Sequence, residues 1–291
     1  AHAVQSILQE DGAETSCYLT RPYSHFGPGL VGQTWNSEDY PSPLPLIEKF
    51  QPDLIIPQAV AWAEQPWAVE IVQQGWPIFS PVGDAMKIEV SRKLSSELCK
   101  EFEIPVPAFH HVQNRLEARQ VMKDDPRPYV LKNPICSPFS PVHAIICEST
   151  EDTNGWIERV DYAEGLFLQE YLGKEEAGHF VFISGGEICS LVTNQEYKRA
   201  FTGDMGPLAG APLAGLAEQD PADQYGLAKE LIHPLRPWFE KTGYTGPLQV
   251  TAILKDGTWH AIEYNIRLGV TTTALLLRML KNPVKVLLEV V

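Results

Sequence analysis

The chain has 291 residues, 44% of them hydrophobic and 21% charged, and its 37 acidic and 23 basic side chains leave a net charge of −14. This is a globular composition, long enough for a sizeable core and, at roughly 150 residues per domain, for two domains or one large unit with a lobe. The excess of acid argues against nucleic-acid binding, which needs Lys and Arg to neutralise phosphates, but a few local cations can still hold a small phosphorylated ligand.

The five cysteines, Cys17, Cys99, Cys136, Cys147 and Cys189, are an odd number without a C-x-x-C pair. Neither a disulfide framework nor a zinc site is signalled, and a reduced, cytoplasmic protein is expected. No apolar run approaches the ~18 residues of a membrane span, and the N-terminus lacks the basic region and apolar core of a signal peptide. A soluble protein with no membrane partner is therefore expected.

Hydrophobic periodicity predicts a helix over 1–9, a short strand over 16–20, a helical turn over 45–50 and a strand over 53–57. A helix over 62–74, ended by Gly75, precedes a strand over 77–80. Short apolar strands alternating with helices point to a parallel sheet. Such a domain usually opens on a strand, so a first strand is expected to be missing ahead of Ala1. A long helix over 85–102 with the rigid exit Ile104-Pro105-Val106-Pro107 marks a domain boundary.

Beyond it, strands over 108–112, 128–133 and 143–147 with helices over 116–123 and 151–160 make a small α+β lobe. A second lobe is expected to open at Leu166, with strands over 179–184 and 187–193 and then a Gly/Pro/Ala-rich stretch over 202–215, read as a loop lining a site. A helix over 223–242, two strands around Lys255-Asp256-Gly257 and a helix over 272–281 complete the reading. The fold class expected is α/β: an N-terminal parallel-sheet α/β domain (1–84), then a linker helix with a small lobe (85–165) and a large lobe (166–291).

Gly27-Pro28-Gly29-Leu30-Val31-Gly32 matches G-x-G-x-x-G, but a dinucleotide fingerprint needs a strand before it and a helix after. Tyr23-Ser24-His25 and Gln33-Thr34-Trp35-Asn36 supply neither, so a surface loop is expected. In Glu263-Tyr264-Asn265-Ile266-Arg267, the period of two puts Glu263, Asn265 and Arg267 on one face of a strand and sends Tyr264 and Ile266 into the core. Carboxylate and amide oxygens suit Mg²⁺ bridging phosphates, and a guanidinium clamps a phosphate. The same spacing also describes a solvated strand face with a salt bridge. Lys198 and Arg199 place positive charge at the mouth of the Gly-rich stretch, or simply end a strand at the surface. Lys132 leaves the apolar run Tyr129-Val130-Leu131, either as a snorkelling edge residue or as a phosphate ligand.

In order and spacing these segments resemble the ATP-grasp ligases and, within them, the phosphoribosylamine–glycine ligase family, the glycinamide ribonucleotide synthetases of purine biosynthesis. Gln195-Glu196-Tyr197-Lys198-Arg199 followed by Gly203-Asp204-Met205-Gly206-Pro207 is similar to that family's Q-D-H-K-R and G-D-x-G-P-N. Glu263 to Gly269 resembles its E-F-N-x-R-F-G, and Gln169-Glu170-Tyr171-Leu172 with Glu175-Glu176 its E-E-F-L-x-G-x-E. Ser91-Arg92 and Ile104-Pro105 resemble its S-K helix and G-I-P exit, and Ala1-His2-Ala3 the end of its opening G-G-R-E-H-A.

The resemblance implies a two-lobed ATP-grasp domain in which ATP phosphorylates a carboxylate and an amine attacks the acyl phosphate. It implies ATP with Mg²⁺ (or Mn²⁺), and small-molecule amine and amino-acid substrates. Glu263 and Asn265 would hold the metal, and Arg92 and Lys132 the nucleotide phosphates. Glu170 with the Tyr171-Leu172 backbone would meet adenine, and Glu176 the ribose. Lys198, Arg199 and Arg267 would carry the transfer, with Asp204, Gly206 and Pro207 toward the acceptor. A degenerate nucleotide-binding or partner module, and a dipeptide-forming ligase, are the alternatives.

The chain departs from the family where a mobile Gly-rich loop follows the lysine. Asn133-Pro134-Ile135-Cys136-Ser137-Pro138-Phe139-Ser140-Pro141 contains no glycine and three prolines, which remove donors and stiffen the backbone. The family's G-D-P-E reads Gly269-Val270-Thr271-Thr272, and its G-G-M-G reads Ala209-Gly210-Ala211-Pro212. The family's first strand and C-terminal lobe are expected to lie outside this sequence.

Overall fold

The computed structural model describes residues 2–20, 34–135, 144–203, 205–208, 214–269 and 272–291. Gly27 to Gly32, most of the Pro134 to Pro141 segment, Asp204, Ala209 to Pro212 and Val270-Thr271 lie outside these residues, and the expectations placed on them go no further. Among the described residues no helix is long and apolar enough to cross a membrane.

Helix α1 (His2–Glu10) leads to β1 (Cys17–Leu19), which pairs in parallel with β2 (Thr34–Asn36). Helices α2 (Leu44–Phe50) and α3 (Pro66–Gln73) follow, each with proline in its first turn, where the missing N–H is not needed. The strands expected over 53–57 and 77–80 reduce to a single parallel bridge, Ile55 to Ile78. The helix expected over 62–74 begins as a 3-10 turn, Val60–Glu64, and becomes α-helical only from Pro66.

The long helix expected over 85–102 is three pieces: a 3-10 turn at Gly83–Met86, α4 (Lys87–Val90) and α5 (Arg92–Glu101). Ser91 causes the break. Its backbone is extended (φ −111°, ψ 104°) and its hydroxyl accepts from the Leu94 amide, so it caps α5 instead of continuing α4.

The small sheet combines β3 (Phe109–Val112), β4 (Tyr129–Lys132), β5 (Ala144–Ile146) and β6 (Leu166–Glu170) in the order β3-β6-β4-β5. Helices α6 (Arg115–Asp124) and α7 (Thr150–Ile157), N-capped by the side chains of Asn114 and Ser149, cover it around Ala118, Met122, Tyr129, Leu131 and Ile157. Leu166 was expected to open the large lobe. Instead it begins a central strand of this smaller sheet, because Leu166, Phe167 and Leu168 bury between β3 and β4.

The large sheet has β7 (Glu176–Ser184), β8 (Glu187–Tyr197), β11 (Ala214–Gln219), β12 (Gly246–Lys255) and β13 (Thr258–Asn265), antiparallel in the order β11-β8-β7-β12-β13. The stretch expected as a loop over 202–215 instead carries β10 (Met205–Leu208), paired with β9 (Arg199–Phe201), and the start of β11. The helix expected over 223–242 is α8 (Leu227–Leu231), a 3-10 turn at His233–Leu235 and α9 (Arg236–Thr242). Pro234 has no N–H for the helical ladder, which accounts for the interruption. After α10 (Thr272–Met279) comes a helix the sequence reading omitted, α11 (Pro283–Val290).

Strand alternation decides what the large sheet offers a ligand. Leu248, Val250 and Ala252 of β12 enter one core with Leu227, Leu231 and Phe239, and Tyr264 and Ile266 join them. Gln249 and Thr251 therefore face the other way, in register with Asn265 and Glu263. That polar face is bounded by a second core, in which α1, α10 and α11 pack on Phe180, Phe182 and Val192. The small lobe approaches it through Lys132 and Gln169.

Candidate active site

Glu263 is the meeting point. Arg92 Nη1 from α5 lies 3.8 Å from one of its oxygens, and Lys198 Nζ from the end of β8 lies 3.9 Å from the other. Lys132, buried at the end of β4, donates to Gln169 Oε1 at 2.7 Å and reaches the Ile262 carbonyl at 3.5 Å, so its ammonium lies beside β13. Burial pushes the Glu263 carboxyl up, but Lys198, Lys132, Arg92 and Arg267 more than reverse this and bring it down to about 2. Lys132 is displaced the opposite way: burial and the nearby Arg92 lower it to about 8, against a partial pull from Glu263.

Lys198 is surrounded by acid. Its ammonium lies 3.0 Å from Glu176, 3.4 Å from Glu196 and 3.9 Å from Glu263. Burial would lower its pKa, but Glu263, Glu176 and Glu196 raise it above the ordinary lysine value. Burial also raises Glu176, which Lys198 only partly offsets. Glu196 accepts from the Thr272 hydroxyl at 2.9 Å, tying β8 to the first turn of α10.

The period-two reading of β13 holds: Tyr264 and Ile266 are 2% and 1% exposed, while Glu263 and Asn265 lie on the polar face. Glu263 and Asn265 offer a carboxylate and an amide oxygen two residues apart, the hard donors a divalent cation prefers. Arg92 and Lys198 approach the Glu263 carboxylate at 3.8 and 3.9 Å, with Lys132 and Arg267 also close enough to hold it ionised, so the site sets oxygen donors for a cation beside cations that can face anionic groups. The donor set and its charge thus fit a divalent cation with phosphates. Arg267 is drawn to Glu89, whose Oε1 accepts from its Nε at 3.0 Å, while its Nη2 contacts Asn265 Oδ1 at 3.4 Å.

The remaining expected residues fall around this centre. Glu170, Tyr171 and Leu172 form the crossing from β6 to β7. The Glu170 carboxylate is held by Arg127 at 3.0 Å and Lys255 at 3.6 Å, and it accepts from the Ala108 amide. The Tyr171 amide donates to the Pro128 carbonyl at 3.0 Å. Arg199 donates to the Gly206 carbonyl at 3.0 Å and lies 3.4 Å from Glu148. Gly206, at φ +86°, supplies the left-handed backbone ahead of Pro207 in β10. The structure thus brings together Arg92, Lys132, Glu176, Lys198, Glu263, Asn265 and Arg267, while Glu148 links Arg199 to Lys174, two residues beyond Leu172.

Sequence reasoning missed Glu89, Gln169 as a partner of Lys132, Glu196, and Glu148, which also takes Lys174 at 2.9 Å. Glu196 stands inside the matched Q-E-Y-K-R run and was within reach. Glu89 lies two residues ahead of Ser91-Arg92, where nothing in the local pattern marks it.

Residues 90–273 match the family described as phosphoribosylglycinamide synthetase, ATP-grasp (A) domain. The chain belongs to this family. It is 26% identical over 243 residues to a phosphoribosylamine–glycine ligase of Ralstonia nicotianae, covering 77% of this chain and 56% of that protein. It is likewise 26% identical over 272 residues to that of Thermotoga maritima, covering 89% and 66%. The chain thus spans between about half and two thirds of these relatives' length. The crystal structure of phosphoribosylamine–glycine ligase from Thermotoga maritima superposes with a TM-score of 0.71 over 97% of this chain and 69% of that one, at 23% identity, a likeness of fold. The two sheets with the site between them are the ATP-grasp architecture.

Proposed function

We propose that the protein is an ATP-dependent carboxylate–amine ligase of the phosphoribosylamine–glycine ligase type, acting in the cytoplasm on small-molecule amine and amino-acid substrates. The observation that carries this is the convergence of Arg92, Lys132 and Lys198 on Glu263 from three separate segments of chain, beside the amide oxygen of Asn265. A bound ATP would lie between the small and large lobes, and the matched family and the relatives' names support that reading.

Glu263 and Asn265 would hold Mg²⁺ or Mn²⁺, which supplies charge neutralisation across the phosphates when bound. Arg92 and Lys132 supply fixed positive charge to the phosphate oxygens, and Lys198, kept protonated by its three glutamates, faces the transferred group. Arg267 adds a guanidinium beside Asn265. Arg199 and Gly206, with Asp204 and Pro207 adjacent in sequence, edge the acceptor side. Because the Tyr171 amide is engaged by Pro128, adenine falls to the Leu172 backbone, with Glu170 beside it and Glu176 toward the ribose.

The test is ADP formation from ATP, Mg²⁺, phosphoribosylamine and glycine, each substrate omitted in turn. ADP that depends on both amine and amino acid supports the ligase. No ADP with any amino acid and no nucleotide-dependent thermal shift would sink it. One observation favours a nucleotide-binding module without turnover. Where the family has a mobile loop, Asn133 is buried and bonded to Glu164 at 2.8 Å, and the Pro134 carbonyl accepts from the Arg92 amide at 3.3 Å. Nucleotide binding without ADP would support that module.

A further inference from the structure

Glu89 is a deeply buried carboxylate beside the site that the reaction described above leaves without a role. Its side chain is 2% exposed, and both oxygens are engaged by the end of the metal-site strand, 177 positions away at Ile266. Oε2 accepts from the Ile266 amide at 2.7 Å, and Oε1 accepts from Arg267 Nε at 3.0 Å. The Ser91 break makes this reach possible, because it lets Glu89 on α4 and Arg92 on α5 both meet the strand end. The Arg267 guanidinium then passes the constraint on, with Nη2 donating to Asn265 Oδ1 at 3.4 Å.

An asparagine amide has two orientations related by a half-turn, and only one presents oxygen to a cation. Packing alone does not choose between them here. A cavity of about 30 Å³ borders Glu89, Arg92, Gln169, Glu263 and Asn265, which is room for an ordered water. The choice therefore rests on bonds. We propose that Glu89 is the positioning residue of the metal pair, fixing the Asn265 amide through Arg267 and the backbone at Ile266. This rests on the reading of Glu263 and Asn265 as the cation-holding pair.

The experiment measures the Mn²⁺ dissociation constant by electron paramagnetic resonance of free Mn²⁺, with a non-hydrolysable ATP analogue present. It compares wild type, E263Q, N265A, E89Q, R267K and E89Q/N265A, with far-UV circular dichroism confirming the fold. Loss of a group that orients a metal ligand weakens binding about 10- to 100-fold, and that is the result expected for E89Q, with about tenfold for R267K. The double variant should bind no more weakly than N265A, since Glu89 acts through that amide. If E89Q does not fold, R267K carries the test, because it leaves the Glu89 bond to the Ile266 amide in place.

Mn²⁺ affinity within twofold of wild type in both E89Q and R267K, with E263Q abolishing binding, overturns the positioning role and leaves the metal pair standing. Additive losses in E89Q and N265A overturn it as well. Wild-type binding by E263Q, or no nucleotide-dependent Mn²⁺ binding by wild type, overturns the metal pair itself and this proposal with it.

Discussion

Arg92 Nη1 sits 3.8 Å from Glu263 Oε2, one linker residue facing one strand residue, while three positions earlier Glu89 faces Arg267 with the charges reversed. The two crossed pairs fix strand β13 against the linker, and they leave Glu263 poised between protein cations and an incoming ligand. A carboxylate held at about 2 is ionised at any working pH, as a cation ligand must be. E263Q should keep the fold and lower ATP turnover at least about 100-fold, because a charged ligand to the cation and a partner of four cations are lost together. N265A should do the same. Steady-state ADP release with circular dichroism checks both, and wild-type turnover in either variant would remove the assignment.

Lys132 gives a pH signature. Its folded-state pKa, about 8 against the ordinary 10.5, means the unfolded chain holds the proton more tightly. Stability therefore bears a cost below about pH 8 that is relieved as pH rises from 8 toward 10.5. Phosphate binding runs the other way, since only the charged lysine attracts it. The ATP dissociation constant should rise about tenfold from pH 7 to pH 9 as the free protein loses this charge. In K132R the guanidinium stays charged and the profile should flatten. Isothermal titration at three pH values decides, and an equal slope in both proteins would exclude Lys132 as its source.

Gly178 on β7 is required by space. A Cβ there would lie 2.7 Å from Asn194 Oδ1 and 2.8 Å from Gln249 Nε2, two buried amides that bond to each other across the strand at 3.2 Å. G178A should cost about 1–3 kcal/mol by overpacking, read from urea denaturation. G178A/N194A should recover part of it, because truncating Asn194 opens the space.

The polar face of the site was legible because strand alternation is local: the spacing of Glu263, Asn265 and Arg267, with Tyr264 and Ile266 between them, already fixes which side chains share a side. Lys132 emerging from an apolar strand was legible in the same way. What escaped depends on contacts between distant segments. The period of 3.6 runs on through Ser91, but its hydroxyl capping the Leu94 amide turns one predicted helix into two. Leu166 to Glu170 reads as an apolar strand in either lobe, and only its pairing with β3 and β4 assigns it. Glu89 looks like any helical glutamate until strand β13 arrives beside it.

Lys198 is the counterion of three glutamates, at 3.0 Å to Glu176, 3.4 Å to Glu196 and 3.9 Å to Glu263, with its own side chain 25% exposed. K198M keeps the length and the apolar stem but leaves three carboxylates facing one another. Breaking a buried ion pair costs ~3–5 kcal/mol, and partial solvent screening here reduces the expectation to about 2 kcal/mol. The loss should depend on pH with a definite sign. Glu176, already raised by burial and partly held down by Lys198, rises further without the lysine. A carboxyl raised in the folded state favours folding at low pH and disfavours it as pH rises through that value. The K198M deficit should therefore be larger at pH 8 than at pH 5, and K198M/E176Q should remove most of the difference. Urea denaturation at the two pH values measures it. A deficit that is the same at both would mean that the loss comes from packing of the lysine stem and not from the uncompensated charge.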